Sequence, residues 1–257
     1  MAEALMVETD IDIRTSDGTS DGVLFRPEGP EGDARWPGVI FLTDIGGIRP
    51  AQREMARRLA AEGYTVLMPN AYYRTSRAPI WDFAPKFGAD ERTMKRLAEL
   101  SGPLTPEAVE RDAADYVNFL AAQGSFGAGA MGVVGYCATG SVAMRFAAAR
   151  ADKIAAAASF HGARLVTDAP TSPHLLLPRM NINARLYFGH AVEDRGMPKE
   201  AIEKLNLALE AWGGQYESEV YEGAYHSWTV PDSPVYNHAQ AERAFGKLTD
   251  LLGKTLK

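Results

Sequence analysis

The stretch Gly132-Val-Val-Gly-Tyr-Cys137-Ala-Thr-Gly140, with an alanine-rich run after it to Arg150, constrains this chain more than any other part of its sequence. A buried strand passes at Cys137 straight into a helix. A turn that sharp presses strand and helix together, so the residues flanking the corner must be small. The side chain at the corner stands at the positive end of the helix dipole, which favours a thiolate. This is the layout of a nucleophile elbow with cysteine in the nucleophile's place. The backbone N–H of Ala138 is then one donor for an oxyanion. A lone cysteine elsewhere is usually a small buried hydrophobe; here the motif, the strand before it and the helix after it agree on a reactive one.

The rest of the chain supplies the sheet that such an elbow needs. Val7, Ile11 and Ile13 alternate with polar residues as in a half-exposed strand, Ser16-Asp17-Gly18 reads as a turn, and Gly22 to Arg26 as the returning strand. From Trp36 the pattern changes to uninterrupted apolar runs, Gly38 to Leu42 and Tyr64 to Met68, which suit strands buried on both faces. Ile154–Phe160, Ala184–Gly189 and Tyr216–Tyr221 read as three more. Between them lie helical patterns: Pro50–Glu62 ended by Gly63, Thr105 capping a helix to about Gln123, Gly140–Arg150, Pro198–Trp212 and Ala239–Leu256. Strands alternating with helices predict an α/β fold. The expected sheet is twisted and mostly parallel, with helices on both faces, right-handed crossovers and an antiparallel N-terminal edge hairpin. One domain over residues 1–257 is expected.

One stretch breaks the rhythm. Residues 71–103 contain no clean strand, and they leave the carboxyl end of the Tyr64–Met68 strand, where open α/β sheets bind ligands. This insertion reads as a substrate-covering loop, or as a surface excursion packed by its own aromatics. Arg74, Arg77 and Trp81 within it, and Tyr136 beside the cysteine, are the candidate substrate contacts.

An elbow nucleophile needs a base and an orienting acid, and in this layout they follow it in the order acid, then histidine. All five histidines lie after Cys137. His161 and His190 each follow an apolar run, His174 lies in a proline-rich loop, and His238 precedes the last helix. His226, in Glu222-Gly-Ala-Tyr-His-Ser-Trp228 just past the final strand, stands where a general base belongs. In Gly189-His-Ala-Val-Glu-Asp194, which leaves the preceding strand, Asp194 is the candidate acid; its neighbour Glu193 would point the other way. The second oxyanion donor is expected from the glycine-bearing loop Thr43-Asp-Ile-Gly-Gly47, as the N–H of Ile45.

These residues together resemble the dienelactone hydrolase family of α/β-hydrolases, from about Trp36 to the end. The likeness rests on Gly-Tyr-Cys137 followed by Gly140, on Glu193-Asp194 with Pro198 after it, and on Gly223-Ala-Tyr-His226-Ser227. It implies Cys137 as nucleophile, Asp194 as acid and His226 as base, and an acidic modulator of the cysteine at Asp44. Three positions depart from the family pattern. Thr139 stands where glycine is usual, Asp44 is one methylene shorter than the usual glutamate, and Val230 replaces an arginine that binds a substrate carboxylate. The resemblance implies a small-molecule ester or lactone substrate cleaved through a thioester. Alternatives are the same triad acting on another electrophile, such as an organophosphate ester, or a non-catalytic binding or sensing protein on the same scaffold.

Composition closes other routes. A net charge of −6 argues against nucleic acid, which needs a surplus of Lys and Arg on one face. Met1–Asp10 carries no apolar signal core, and the longest apolar runs fall far short of the roughly 20 residues that span a bilayer. A single cysteine makes no intramolecular disulfide, so a cytoplasmic enzyme is expected. Neither His-Glu-x-x-His metal spacing nor a dinucleotide fingerprint occurs, and no cofactor is expected.

Overall fold

The apolar runs assemble into one eight-stranded sheet with helices on both faces, seen in a computed structural model that describes residues 6–29, 35–88 and 90–257. The expectation for the first five residues lies outside that range. The strands are β1 Met6–Thr15, β2 Gly18–Pro27, β3 Trp36–Leu42, β4 Thr65–Pro69, β5 Phe126–Tyr136, β6 Ile154–Phe160, β7 Arg185–Ala191 and β8 Gln215–Tyr221. The helices are α1 Pro50–Ala61, α2 Glu91–Ser101, α3 Pro106–Ala121, α4 Gly140–Ala149, α5 Lys199–Trp212 and α6 His238–Leu256. Their order across the sheet is β1-β2-β4-β3-β5-β6-β7-β8, with β1–β2 and β2–β4 antiparallel and every other pair parallel.

The period of two along each buried strand divides the core in two. On β3, Ile40 and Leu42 join a cluster with Phe146 of α4 and Leu205 of α5, while Val39 and Phe41 face Leu59 of α1 and Leu252 of α6. Thr105 caps α3 as its sequence implies, its hydroxyl accepting the Ala108 N–H at 3.2 Å. Among the described residues no helix is long and apolar enough to cross a membrane.

Residues 71–103 hold a helix that the sequence reading did not anticipate. Asp90 caps α2 by accepting the Thr93 N–H at 2.8 Å, and Arg96 on it donates to the Ile80 carbonyl at 2.9 Å. Met94, Leu97 and Leu100 recur at helical spacing, but polar residues dominate this helix and only Thr93 and Leu100 are buried. The segment packs against the loop after β3: Trp81 Nε1 donates to the Ile45 carbonyl at 2.8 Å, and Ile45 and Trp81 flank a small cluster of Ala71, Tyr72, Ile80 and Leu100.

Candidate active site

At the carboxyl end of β5 the chain turns at Cys137 with φ 57°, a left-handed conformation that a β-carbon makes costly. The two glycines of the elbow exist for contact. A β-carbon on Gly135 would collide with the Thr139 carbonyl, and one on Gly140 with Ser159 Oγ and the Gly162 α-carbon. Both backbone groups of Cys137 are held by the segment leaving β6. Its N–H donates to His161 Nδ1 at 3.1 Å, and its carbonyl accepts the Ala163 N–H at 2.9 Å. The sulfur remains half-buried.

His226 Nε2 lies 3.1 Å from Cys137 Sγ, and His226 Nδ1 lies 2.7 Å from Asp194 Oδ2. Asp194 Oδ1 accepts the Gly196 N–H at 2.7 Å, so both carboxylate oxygens are engaged. The Val192 N–H donates to the Ala224 carbonyl at 2.9 Å, joining the loop that carries Asp194 to the loop that carries His226. Glu193 at φ 51° stays exposed. Burial works against a charge on His226, but its hydrogen bonds to Asp194 and Cys137, and their charges, outweigh it and raise the imidazole to about 10.

His161 is the site residue that sequence reasoning passed over. It is fully buried with φ 39°. Because Nδ1 accepts from Cys137, its proton sits on Nε2 and is donated to Thr229 Oγ1 at 2.7 Å. Burial first, then the neighbouring His226 charge, keeps it neutral. Its ring meets His226 at 5.2 Å and Trp228 at 5.1 Å, both edge-on. The available signal was a histidine followed by glycine at the end of an apolar strand, which says little without its neighbours.

Thr139 also acquires a use. Its hydroxyl accepts the Tyr136 N–H at 3.0 Å and lies 3.0 and 2.9 Å from the Leu42 and Thr43 carbonyls. Threonine, in the place where glycine is usual, therefore ties the elbow to the loop bearing Ile45. Ala138 follows the sulfur in the helical turn that Cys137 opens. Tyr72, fully buried with its hydroxyl unpartnered among the described residues, faces the same region; burial first, then the Cys137 and Asp44 charges, keep its phenol protonated.

Five of the expected contacts have other partners in the structure. Asp44 makes no hydrogen bond to the sulfur among the described residues, because Arg49 takes both of its oxygens at 2.6 and 2.9 Å and the Gly46 N–H a further place at 2.8 Å. Arg49 goes on to Asp232 at 2.8 and 3.0 Å, stapling this loop to the one after His226. Burial opposes the Arg49 charge, but the two carboxylates hold its pKa above the usual value. Arg74 is bound by Asp112 at 2.8 Å and Asp17 at 2.6 Å, and Arg77 by Asp12 at 2.6 Å. Their guanidinium groups are already paired away from the sulfur. Tyr136 turns its ring between Phe41 and Phe160, onto the α1–α6 face. Trp81 buttresses Ile45 through its carbonyl. Val230 is fully buried. Among the described residues no three His, Cys, Asp or Glu side chains gather as metal ligands would.

Comparison with known proteins agrees with this fold. The model of the dienelactone hydrolase family matches residues 20–256. The chain is 29% identical over 203 residues to a carboxymethylenebutenolidase of Rhodococcus opacus, covering 76% of this chain and 73% of that one. It is 26% identical over 219 residues to a protein of Salmonella typhi named provisionally as a carboxymethylenebutenolidase, covering 85% and 77%. In fold it matches a crystal structure from Klebsiella pneumoniae, titled provisionally as a dienelactone hydrolase, with a TM-score of 0.84 at 20% identity over 97% and 99% of the two chains.

Proposed function

The chain belongs to the dienelactone hydrolase family, and from that premise we propose that it hydrolyses small neutral esters or lactones through a thioester on Cys137. The observation that carries the reading is the unbroken relay from sulfur to imidazole to buried carboxylate, 3.1 and 2.7 Å in its two links. An imidazolium against a cysteine sulfur is the arrangement of an activated thiolate pair.

In this reading the sulfur attacks the acyl carbon, and the carbonyl electrons move onto oxygen. The resulting oxyanion is met by the N–H groups of Ala138 and Ile45. On collapse the C–O bond breaks and the leaving alkoxide takes the proton from His226 Nε2. Water then gives its proton to His226 as it attacks the thioester, and the sulfur departs. With a lactone the alkoxide stays tethered, and the product is a hydroxy acid. Asp194 keeps the imidazole turned with Nε2 toward the sulfur throughout.

The preference for a neutral substrate rests on the arginines. Arg74 and Arg77 are paired with carboxylates, and the position four residues after His226 is the buried Val230. A partner of this chain is accordingly a small uncharged molecule.

The test is intact-protein mass spectrometry after rapid mixing with a panel of neutral lactones, aryl esters, carboxylate-bearing lactones and phosphotriesters. The expected result is an acyl adduct on Cys137 that disappears with hydroxylamine, formed fastest by the neutral lactones and esters. A phosphoryl adduct in its place would move the reading to another electrophile. Undiminished ester turnover by a Cys137→Ala variant would end it.

A further inference from the structure

Behind the elbow, on the face of the sheet covered by α1 and α6, lies a pocket of about 230 Å³ whose lining includes none of Cys137, His226 and Asp194. It sits at the carboxyl ends of β5 and β6, the end at which open α/β sheets take ligands. Its walls are mainly apolar: Met55 and Leu59 from α1, Phe245 and Leu248 from α6, and Phe160 from β6. An engineered apolar cavity of about 150 Å³ is enough to hold benzene, so this one has room for a substituted ring.

Its polar lining is Glu54, Arg58, Tyr136, Thr229 and Tyr236. Thr229 already receives the His161 Nε2 proton. Tyr136 is different. Only 4% of it is exposed, it lines the pocket, and burial keeps its phenol protonated. A phenol in the wall of an apolar pocket offers a ligand there one donor and one acceptor. At the rim, Arg58 lies over the Phe245 ring at 3.8 Å and is bound in parallel by both oxygens of Glu242 at 2.6 and 2.7 Å. The cation at the mouth is therefore already balanced and asks for no anionic ligand.

We propose that this pocket is a second ligand site, separate from the one at the sulfur, for a small neutral aromatic or alicyclic molecule whose single hydroxyl or carbonyl oxygen bonds to Tyr136. Its occupant touches the elbow from behind, because Tyr136 is the residue before Cys137 and Thr229 holds the histidine that holds Cys137.

Calorimetric titration of the full chain with p-cresol tests this. One molecule is expected to bind, with an affinity within about twofold of wild type in Cys137→Ala, where the nucleophile is gone. Tyr136→Phe removes one hydrogen bond and should weaken binding by about three- to tenfold. Nuclear Overhauser effects from the p-cresol methyl to Met55 and Leu248 in the unsubstituted protein locate the ligand independently of any variant. Absence of binding up to the solubility of p-cresol, equal affinity in Tyr136→Phe, or contacts to residues around Cys137 instead of α1 and α6 would each overturn the proposal.

Discussion

His161 accepts the backbone N–H of Cys137 at 3.1 Å, so the corner that presents the sulfur hangs on a second histidine outside the Cys137–His226–Asp194 relay. This bond fixes the tautomer of His161 and sends its proton to Thr229.

Replacing His161 by alanine strands the Cys137 N–H and the Thr229 hydroxyl in the interior and opens a void beside Trp228. We expect a loss of about 2–4 kcal/mol in urea unfolding and a matching fall in kcat on an aryl ester. His161→Asn should lose less, since asparagine tolerates positive φ and its amide oxygen can accept a hydrogen bond. An alanine variant as stable as the parent contradicts this account.

The charge on His226 sets a pH limit. Its pKa in the folded chain, about 10, lies above the ordinary 6.5. The stabilisation it brings is thus full below about 6.5 and is lost as pH rises through 10. If turnover uses the protonated imidazole, the alkaline limb of kcat/KM falls near the same pH. Asp194→Asn removes a group that raises this pKa, so the limb should move to lower pH and the rate drop by several orders of magnitude. A limb that stays in place in Asp194→Asn would disconnect the two residues.

Thr139→Val keeps the shape of the side chain and deletes its hydroxyl. The Tyr136 N–H and the carbonyls of Leu42 and Thr43 then lose their common partner. A cost of about 1–3 kcal/mol in unfolding free energy is expected. The slackened loop should also raise KM less than it lowers kcat, because in the proposed mechanism the Ile45 N–H meets the oxyanion. Steady-state kinetics on one ester separates the two effects.

Arg74→Ala distinguishes a structural arginine from a substrate-binding one. Asp112 is nearly fully buried; burial raises its pKa, and Arg74 is the main group opposing that. Removing Arg74 leaves a buried carboxylate unpaired, and about 3 kcal/mol of stability should be lost. At a temperature where the variant remains folded, kcat/KM for carboxylate-bearing and neutral substrates should change equally. A selective loss on the carboxylate-bearing substrate would return Arg74 to the site.

Much of the architecture was legible because its signals are local. The apolar run Gly38–Leu42, the Thr105-Pro106 cap and the glycines around Cys137 each report on their own few residues. Helix α2 escaped because it is mostly polar and buries only two residues, so its three spaced apolar residues did not stand out from a loop. The nucleophile, acid and base were nominated by chain order, which is a property of the connectivity. Arg74, Arg77 and Tyr136 were nominated by residue type and Asp44 by the family resemblance; folding gives each of them another partner, because a charge or a phenol can serve any group brought near.

The sequence by itself determined the alternation of strands and helices and the corner that raises one sulfur at the head of the sheet, since period, turn chemistry and helix capping act over a few residues. Only the tertiary structure decided that a second histidine holds the sulfur's amide, how closely His226 meets the sulfur, where each arginine's charge is spent, and which way Tyr136 faces. Those choices join groups 24, 89 and 97 positions apart, as in His161 to Cys137, His226 to Cys137 and Thr139 to Leu42. Contacts over such separations are selected by packing and desolvation across the whole sheet, and no local pattern encodes them.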